Sequence, residues 1–230
     1  MTAEENGKAL ANSPLFAGLN ADVLTLVGER AVKRPMKKGR TIFYEGDPGD
    51  SLFVLTTGLV KVWVSSGGGE EMVLATLRAP ESFGELSALS GAPRSASATA
   101  MEDSALISLD RDTLLDLAHR HPAVTDGLLQ ALGDLTRRIT EQASDLVFLD
   151  LAGRVAKRLV QLTERDARHD GDKLVLELPL TQSELAEMVG GSRQSVNQIL
   201  KAFESRGFLE LRGREVAILQ MEALRRRSEG

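Results

Sequence analysis

The sequence contains no cysteine. That absence excludes disulfides, cysteine-ligated zinc, iron–sulfur clusters and a thiol nucleophile, so oxygen sensing through a cluster is ruled out. Histidine is scarce as well: His119, His121 and His169 offer no ligand pair at helical spacing backed by a carboxylate, and surface or capping roles are expected in place of metal or haem ligation. No apolar run reaches the roughly 18 residues that a membrane span requires. The start, Met1-Thr2-Ala3-Glu4-Glu5-Asn6, is acidic where a secretory signal is basic and then apolar, so a cytoplasmic protein without membrane contact is expected. A Walker-type phosphate loop and a Ser-His-Asp grouping are also missing, which points away from an enzyme.

What is present suits packed cores: 42% of the 230 residues are hydrophobic and 27% are charged, in a length that fits one large domain or two smaller ones. The formal net charge of -5 is unevenly spread. From Asp150 onward 14 Lys and Arg face 13 Asp and Glu, whereas the part before it carries 14 against 20. Only local basic patches can then hold phosphates.

After a short polar lead, apolar residues at Leu15, Phe16, Leu19, Val23, Leu24 and Val27 predict one or two short helices up to Ala31. From Val32 the pattern changes to short apolar or alternating runs broken by glycines, among them Thr41 to Phe43, Ser51 to Leu55, Val60 to Val64 and Met72 to Leu77. Many short strands joined by tight turns indicate a barrel, roll or jelly-roll. Helical pattern returns at Arg111 to His119, and a long helix is expected from about Pro122, a residue tolerated in a first turn. Leu128, Leu132, Leu135, Ile139, Gln142 and Leu146 follow at alternating spacings of four and three, a coiled-coil seam with one polar member. Self-association along this seam explains a helix of about 40 Å; packing of the stripe on the roll of its own chain is the alternative. Asp150 fits an N-cap for a new helix, Leu151 to Leu162. Thr163 to Lys173 reads as a loop and Leu174 to Leu180 as a strand.

Thr181-Gln182-Ser183-Glu184 fits a capping box, opening a helix from Gln182 to about Val189. Gly190-Gly191 supplies the sharp turn and Ser192 caps a second helix. Val196, Ile199, Leu200 and Phe203 form its inner face; Arg193, Gln194, Asn197, Gln198 and Lys201 form a polar face suited to a major groove. Arginine can bond guanine with two hydrogen bonds, asparagine and glutamine can read adenine, and Lys201 suits phosphate. Two apolar strands around Arg212-Gly213-Arg214 predict a hairpin with a basic tip, a wing. The Arg225-Arg226-Arg227 run reads as a solvated tail.

Phe83-Gly84-Glu85-Leu86-Ser87-Ala88-Leu89, followed by Pro93-Arg94-Ser95-Ala96, resembles the phosphate-binding cassette of cyclic-nucleotide-binding domains. Together with Asp145 to Asp150 and Ser192 to Val196, the likeness covers almost the whole chain. The protein resembles the superfamily of the cyclic-AMP receptor and the fumarate-nitrate regulator, nearer its cyclic-AMP branch. The resemblance implies an α+β chain: a jelly-roll-like β-roll that binds a cyclic nucleotide (residues 1–121), a dimerisation helix and hinge (122–149), and a winged helix-turn-helix (150–230). It implies cyclic AMP or a related nucleotide as effector, a homodimer, a palindromic double-stranded operator, and RNA polymerase as a further partner. Arg94 would pair with the ligand's single negative charge, Ser95 and backbone N–H groups would complete its bonding, and Glu85 would accept from the ribose hydroxyl. Gly84 permits close backbone approach, and Leu86 and Ser87 complete the cassette. An internal Glu85–Arg94 ion pair is the alternative.

Two departures from the family pattern stand out. The adenine-contacting Thr-Ser or Thr-Asn pair falls on Ile139-Thr140, and isoleucine cannot bond the adenine amine. A regulator partly organised for DNA without ligand, or one answering to another nucleotide, is therefore an expectation alongside cyclic AMP. Where the cyclic-AMP branch has Arg-Glu and then Arg or Lys, this chain has Arg193-Gln194 and Gln198, so the half-site is expected to differ from the family's TGTGA. A cyclic-nucleotide-gated enzyme subunit and a pure dimerisation module are the competing classes, and Asp150 to Gly230 leaves little room for a catalytic domain.

Overall fold

The chain begins as helix, where a polar lead was expected. In the computed structural model, which describes residues 2–170, 173–177, 181–213 and 215–229, α1 (Ala3–Ala11) starts at Thr2. The Thr2 hydroxyl accepts from the Glu5 N–H and the Glu5 carboxylate accepts from the Thr2 N–H at 2.7 Å, a reciprocal capping box. A 3₁₀ turn (Pro14–Phe16) leads to α2 (Ala21–Arg30), which packs on α1. Glycine makes that crossing: a Cβ on Gly7 would stand 2.6 Å from the Leu24 carbonyl oxygen.

Eight strands follow: β1 (Val32–Met36), β2 (Thr41–Phe43), β3 (Ser51–Thr57), β4 (Leu59–Ser65), β5 (Glu71–Arg78), β6 (Ser82–Phe83), β7 (Ser97–Ala100) and β8 (Ser104–Asp110). The short helix α3 (Glu85–Ser90) interrupts them between β6 and β7. They form two antiparallel sheets, ordered β1-β8-β3-β6 and β2-β7-β4-β5. Phe53, Leu55, Phe83 and Leu106 of the first sheet meet Val60, Leu77 and Ala98 of the second in the roll's core. The first sheet is buried on its other face too. Leu52, Val54, Ile107 and Leu109 pack there against α1, α2, α4 (Arg111–Arg120) and the start of α5 (Pro122–Phe148). This is why Leu52 to Leu55 is a continuous buried run instead of an alternating one.

The chain divides into two compact units, residues 1–137 and 138–230, and the division falls inside α5. In the second unit Asp150 caps α6 (Leu151–Asp166), accepting from the Gly153 N–H at 2.7 Å. The segment from Thr163, expected as a loop, continues α6 for another turn and then forms β9 (Arg168–Asp170). Leu159, Leu162 and Thr163 are buried, so Glu164 and Arg165 lie on the outer face of a helix whose inner face still packs, with the Asp166 side chain only 12% exposed. The expected strand is β10 (Lys173–Glu177); residues 178–180 lie outside those described. Then come α7 (Gln182–Val189), α8 (Arg193–Ser205), β11 (Leu209–Arg212), β12 (Glu215–Ile218) and α9 (Met221–Ser228), with the sheet ordered β11-β12-β10-β9. The architecture is the expected α+β arrangement of β-roll, long helix and winged helix-turn-helix.

Candidate ligand pocket and nucleic-acid interface

Gly84 and Arg94 meet in the first unit. Gly84 opens α3 with φ +81°, in the left-handed region, and gives the helix no side-chain cap. The first-turn N–H groups of a helix have no partners within it. A Cβ on Gly84 would lie 2.7 Å from Arg94 Nη1, so glycine creates the space that this guanidinium occupies. Arg94 is only 4% exposed. Its Nη1 donates to the Gly84 carbonyl at 3.0 Å and its Nη2 to the Ser51 carbonyl at 2.8 Å, rather than to the Glu85 carboxylate. Its Nε is buried with no hydrogen-bond partner. Burial pushes the guanidinium below the usual arginine value, against the opposing pull of Asp50, Glu85 and Asp47.

A buried guanidinium beside an uncapped helix start has the chemistry of an anion receptor. The residues fit a cyclic phosphodiester on that ground. Ser87 is buried and its hydroxyl donates to the Pro93 carbonyl at 3.2 Å, which closes the cassette on itself. Glu85 is half-buried, while Leu86 and Ser95 are exposed. Ser51, Phe43 and Phe53 also touch Arg94, the two rings with centroids 4.3 and 5.5 Å from its guanidinium carbon. Sequence reading missed all three, because nothing local marks a side chain as the floor of another.

Along α5 the apolar stripe splits. Val124 and Leu128 are buried in the first unit's own core, so there the alternative of packing on the chain's own roll holds. Beyond them Leu129, Ile139, Leu146, Val147 and Phe148 are between 48% and 80% exposed. Ile139 and Thr140 belong to the second unit and are both exposed.

In the second unit the predicted helix-turn-helix residues come together. The Thr181 N–H donates to the Glu184 carboxylate at 2.6 Å and the Thr181 hydroxyl accepts from the Glu184 N–H, a second capping box. Gly190 takes φ +63°. Gly191 serves differently: a Cβ there would fall 2.7 Å from Leu151 Cδ1, so close approach requires glycine. Ser192 caps α8, accepting from the Ser195 N–H at 3.0 Å. Val196, Leu200 and Phe203 are buried, whereas Arg193, Gln194, Gln198 and Lys201 are exposed on the other side. Asn197 is half-buried and its Nδ2 donates to Gln182 Oε1 at 3.2 Å, joining the two helices.

The wing forms, with Arg212 paired to Glu210 at 2.7 Å; Arg214 lies outside the described residues. The expected solvated tail is corrected to the helix α9. Ala223 and Leu224 are buried, Arg225 pairs with Glu164 at 2.9 Å and Glu222 at 2.8 Å, and Arg227 pairs with Asp150. Among the described residues no cluster of three or more metal-ligating side chains occurs, and no helix is long and apolar enough to cross a membrane.

Comparison with known proteins agrees with this geometry. Residues 33–121 match the cyclic nucleotide-binding domain and residues 153–227 the Crp-like helix-turn-helix domain. The chain is 36% identical over 219 residues to the CRP-like cAMP-activated global transcriptional regulator of Mycobacterium tuberculosis, covering 95% of this chain and 98% of that protein. It is 34% identical over 219 residues to the cyclic AMP receptor protein of Thermus thermophilus, covering 92% and 97%. The crystal structure of a CRP/FNR-family transcriptional regulator, also from Thermus thermophilus, superposes with TM-score 0.73 at 25% identity, over 86% of this chain and 99% of that one. These are regulators, not enzymes. With a cyclic nucleotide-binding domain ahead of a DNA-binding helix-turn-helix, the chain belongs to the CRP/FNR family of transcription regulators.

Proposed function

We propose that the protein is a homodimeric, sequence-specific regulator whose DNA affinity is set by a cyclic nucleotide, cyclic AMP in the first instance, held in the β-roll. Arg94 carries this reading: a buried guanidinium held by the Gly84 and Ser51 carbonyls, with no carboxylate among the described residues hydrogen-bonded to it, suits a bound anion. Around it Gly84, Glu85, Leu86, Ser87 and Ser95 would contact the phosphate and ribose, with Ile139 and Thr140 toward the base. The domains follow as residues 1–121 for sensing, 122–149 for dimerisation and hinge, and 150–230 for DNA.

The exposed stripe from Leu129 to Phe148 supports a second copy of the chain as its partner. Two-fold symmetry then places half-sites about 34 Å apart on a palindromic operator. Arg193, Gln194, Asn197 and Gln198 read bases, while Thr181, Gln182, Ser192, Lys201, Arg212 and Arg214 hold the backbone. RNA polymerase is the further partner, in the cytoplasm.

Ile139 favours one second reading, DNA binding that needs no ligand, since an aliphatic side chain replaces the hydroxyl that the family resemblance implies. Titration of cyclic AMP by calorimetry, with operator affinity measured with and without it, separates the two. A tight site and an affinity gain of about tenfold or more supports effector control. Operator affinity indifferent to cyclic AMP refutes it and supports the second reading.

A further inference from the structure

An arginine that must meet a ligand at a fixed angle has to be held in three dimensions, and backbone carbonyls at Gly84 and Ser51 fix only one edge of the Arg94 guanidinium. The group can still rock about the line through those two donors. Phe43 closes that freedom, with its ring centroid 4.3 Å from the guanidinium carbon, and Phe53 lies beyond it at 5.5 Å. The floor is itself fixed. Phe53 stacks on Phe83 at 5.4 Å, and Phe43 is tilted against Phe53 at 5.7 Å and against Phe83 at 6.0 Å. The backbone is held as well: the Arg94 N–H donates to the Asp47 carbonyl at 2.8 Å, and the Gly46 N–H donates to the Arg94 carbonyl at 2.9 Å.

An aromatic face attracts a cation and accepts it flat, which an aliphatic side chain of the same bulk does not do. We propose that Phe43 is a positioning residue for the ligand's phosphate, its ring holding the Arg94 guanidinium in the plane from which it pairs with a monoanionic phosphodiester. This rests on the reading of the roll as a cyclic-nucleotide site. Asp50, Glu85 and Asp47 pull electrostatically on the same cation, so an anion that competes with them must be met at close range and correct angle.

The test uses the full chain with Phe43→Leu and Phe43→Tyr, and with Phe43→Met should the leucine variant fail to fold. The first measurement needs no ligand. In the ¹H–¹⁵N spectrum the Arg94 Nε–H, identified by its loss in Arg94→Lys, is ring-current shifted in the wild type. The shift collapses in Phe43→Leu and persists in Phe43→Tyr. Calorimetry then compares cyclic AMP with uncharged adenosine. Phe43→Leu weakens cyclic AMP by about three- to tenfold, the scale of ordering one long side chain, leaves adenosine unchanged, and is rescued by tyrosine. An unmoved Arg94 resonance in Phe43→Leu overturns the proposal, as does an equal loss for both compounds. A wild-type protein that takes up no cyclic AMP overturns the effector reading instead, and the ligand-free spectrum still decides on Phe43.

Discussion

Asp150 performs two tasks that substitution can separate. It caps α6 through the Gly153 N–H and pairs with Arg227 of α9. Asparagine retains the cap and loses the charge; alanine loses both. The cap contributes about 0.5–2 kcal/mol. The ion pair, with the Asp150 side chain 66% exposed, contributes at most about 1 kcal/mol after solvent screening. Asp150→Ala is therefore expected to destabilise the second unit by about 0.5–3 kcal/mol. Asp150→Asn should cost less than about 1 kcal/mol, matching Arg227→Ala.

The Arg227 hydrogen bond first, and the Gly153 N–H second, hold the Asp150 carboxyl below the usual range. A carboxylate lowered by folding contributes stability above its unfolded value of about 3.9, and that stability is lost as the pH falls through the folded value. The penalty of Asp150→Asn should thus be full at neutral pH and fade below about pH 4. Urea denaturation followed by circular dichroism at fixed protein concentration measures it. The chain's single tryptophan, Trp63, lies in the first unit, so its fluorescence serves as an internal control. Equal losses for asparagine and alanine, or a Trp63 transition that moves with the variants, would refute the reasoning.

Arg193→Ala should cost about 1–3 kcal/mol at one G·C pair of each half-site; competition with singly substituted operators tests this, and a uniform loss across all of them counts against base reading. Ile139→Asp places like charges along the exposed stripe and should shift sedimentation equilibrium toward monomer, whereas an unchanged dimer would show that the seam lies elsewhere. Gly84→Ala forces a side chain into the left-handed region, at about 1–2 kcal/mol, and against Arg94 Nη1. Cyclic AMP binding should fall by about tenfold or more with the second unit's melting unchanged, and retained affinity would contradict the pocket geometry.

Legibility in the sequence followed the range of the interactions involved. Thr181 to Glu184 was readable because a capping box spans four residues. Thr2-Ala3-Glu4-Glu5 carries the same four-residue signal at the start of α1. Alternation and glycine spacing likewise exposed β2 to β5. The last turn of α6 was hidden because three charged residues in a row look like a loop unless Leu162 and Thr163 are known to be buried. The role of α9 was out of reach for another reason: Arg225 and Arg227 find Glu164 and Asp150 at separations of 61 and 77 residues. The position of the cassette in the chain was legible through the family resemblance. The aromatic floor under Arg94 was not, because β2 and β3 bring Phe43 and Phe53 to it from other parts of the chain.

Gly191 sits where a single added carbon would strike Leu151, whereas at Gly190 a Cβ would have room, 3.6 Å from Leu146 Cδ2. The first leucine of α6 thereby meshes with the turn that carries α8. Packed protein yields little under compression. A rotation of α6 cannot be absorbed as slack at that contact, so α8 is geared to the start of α6, tooth against tooth.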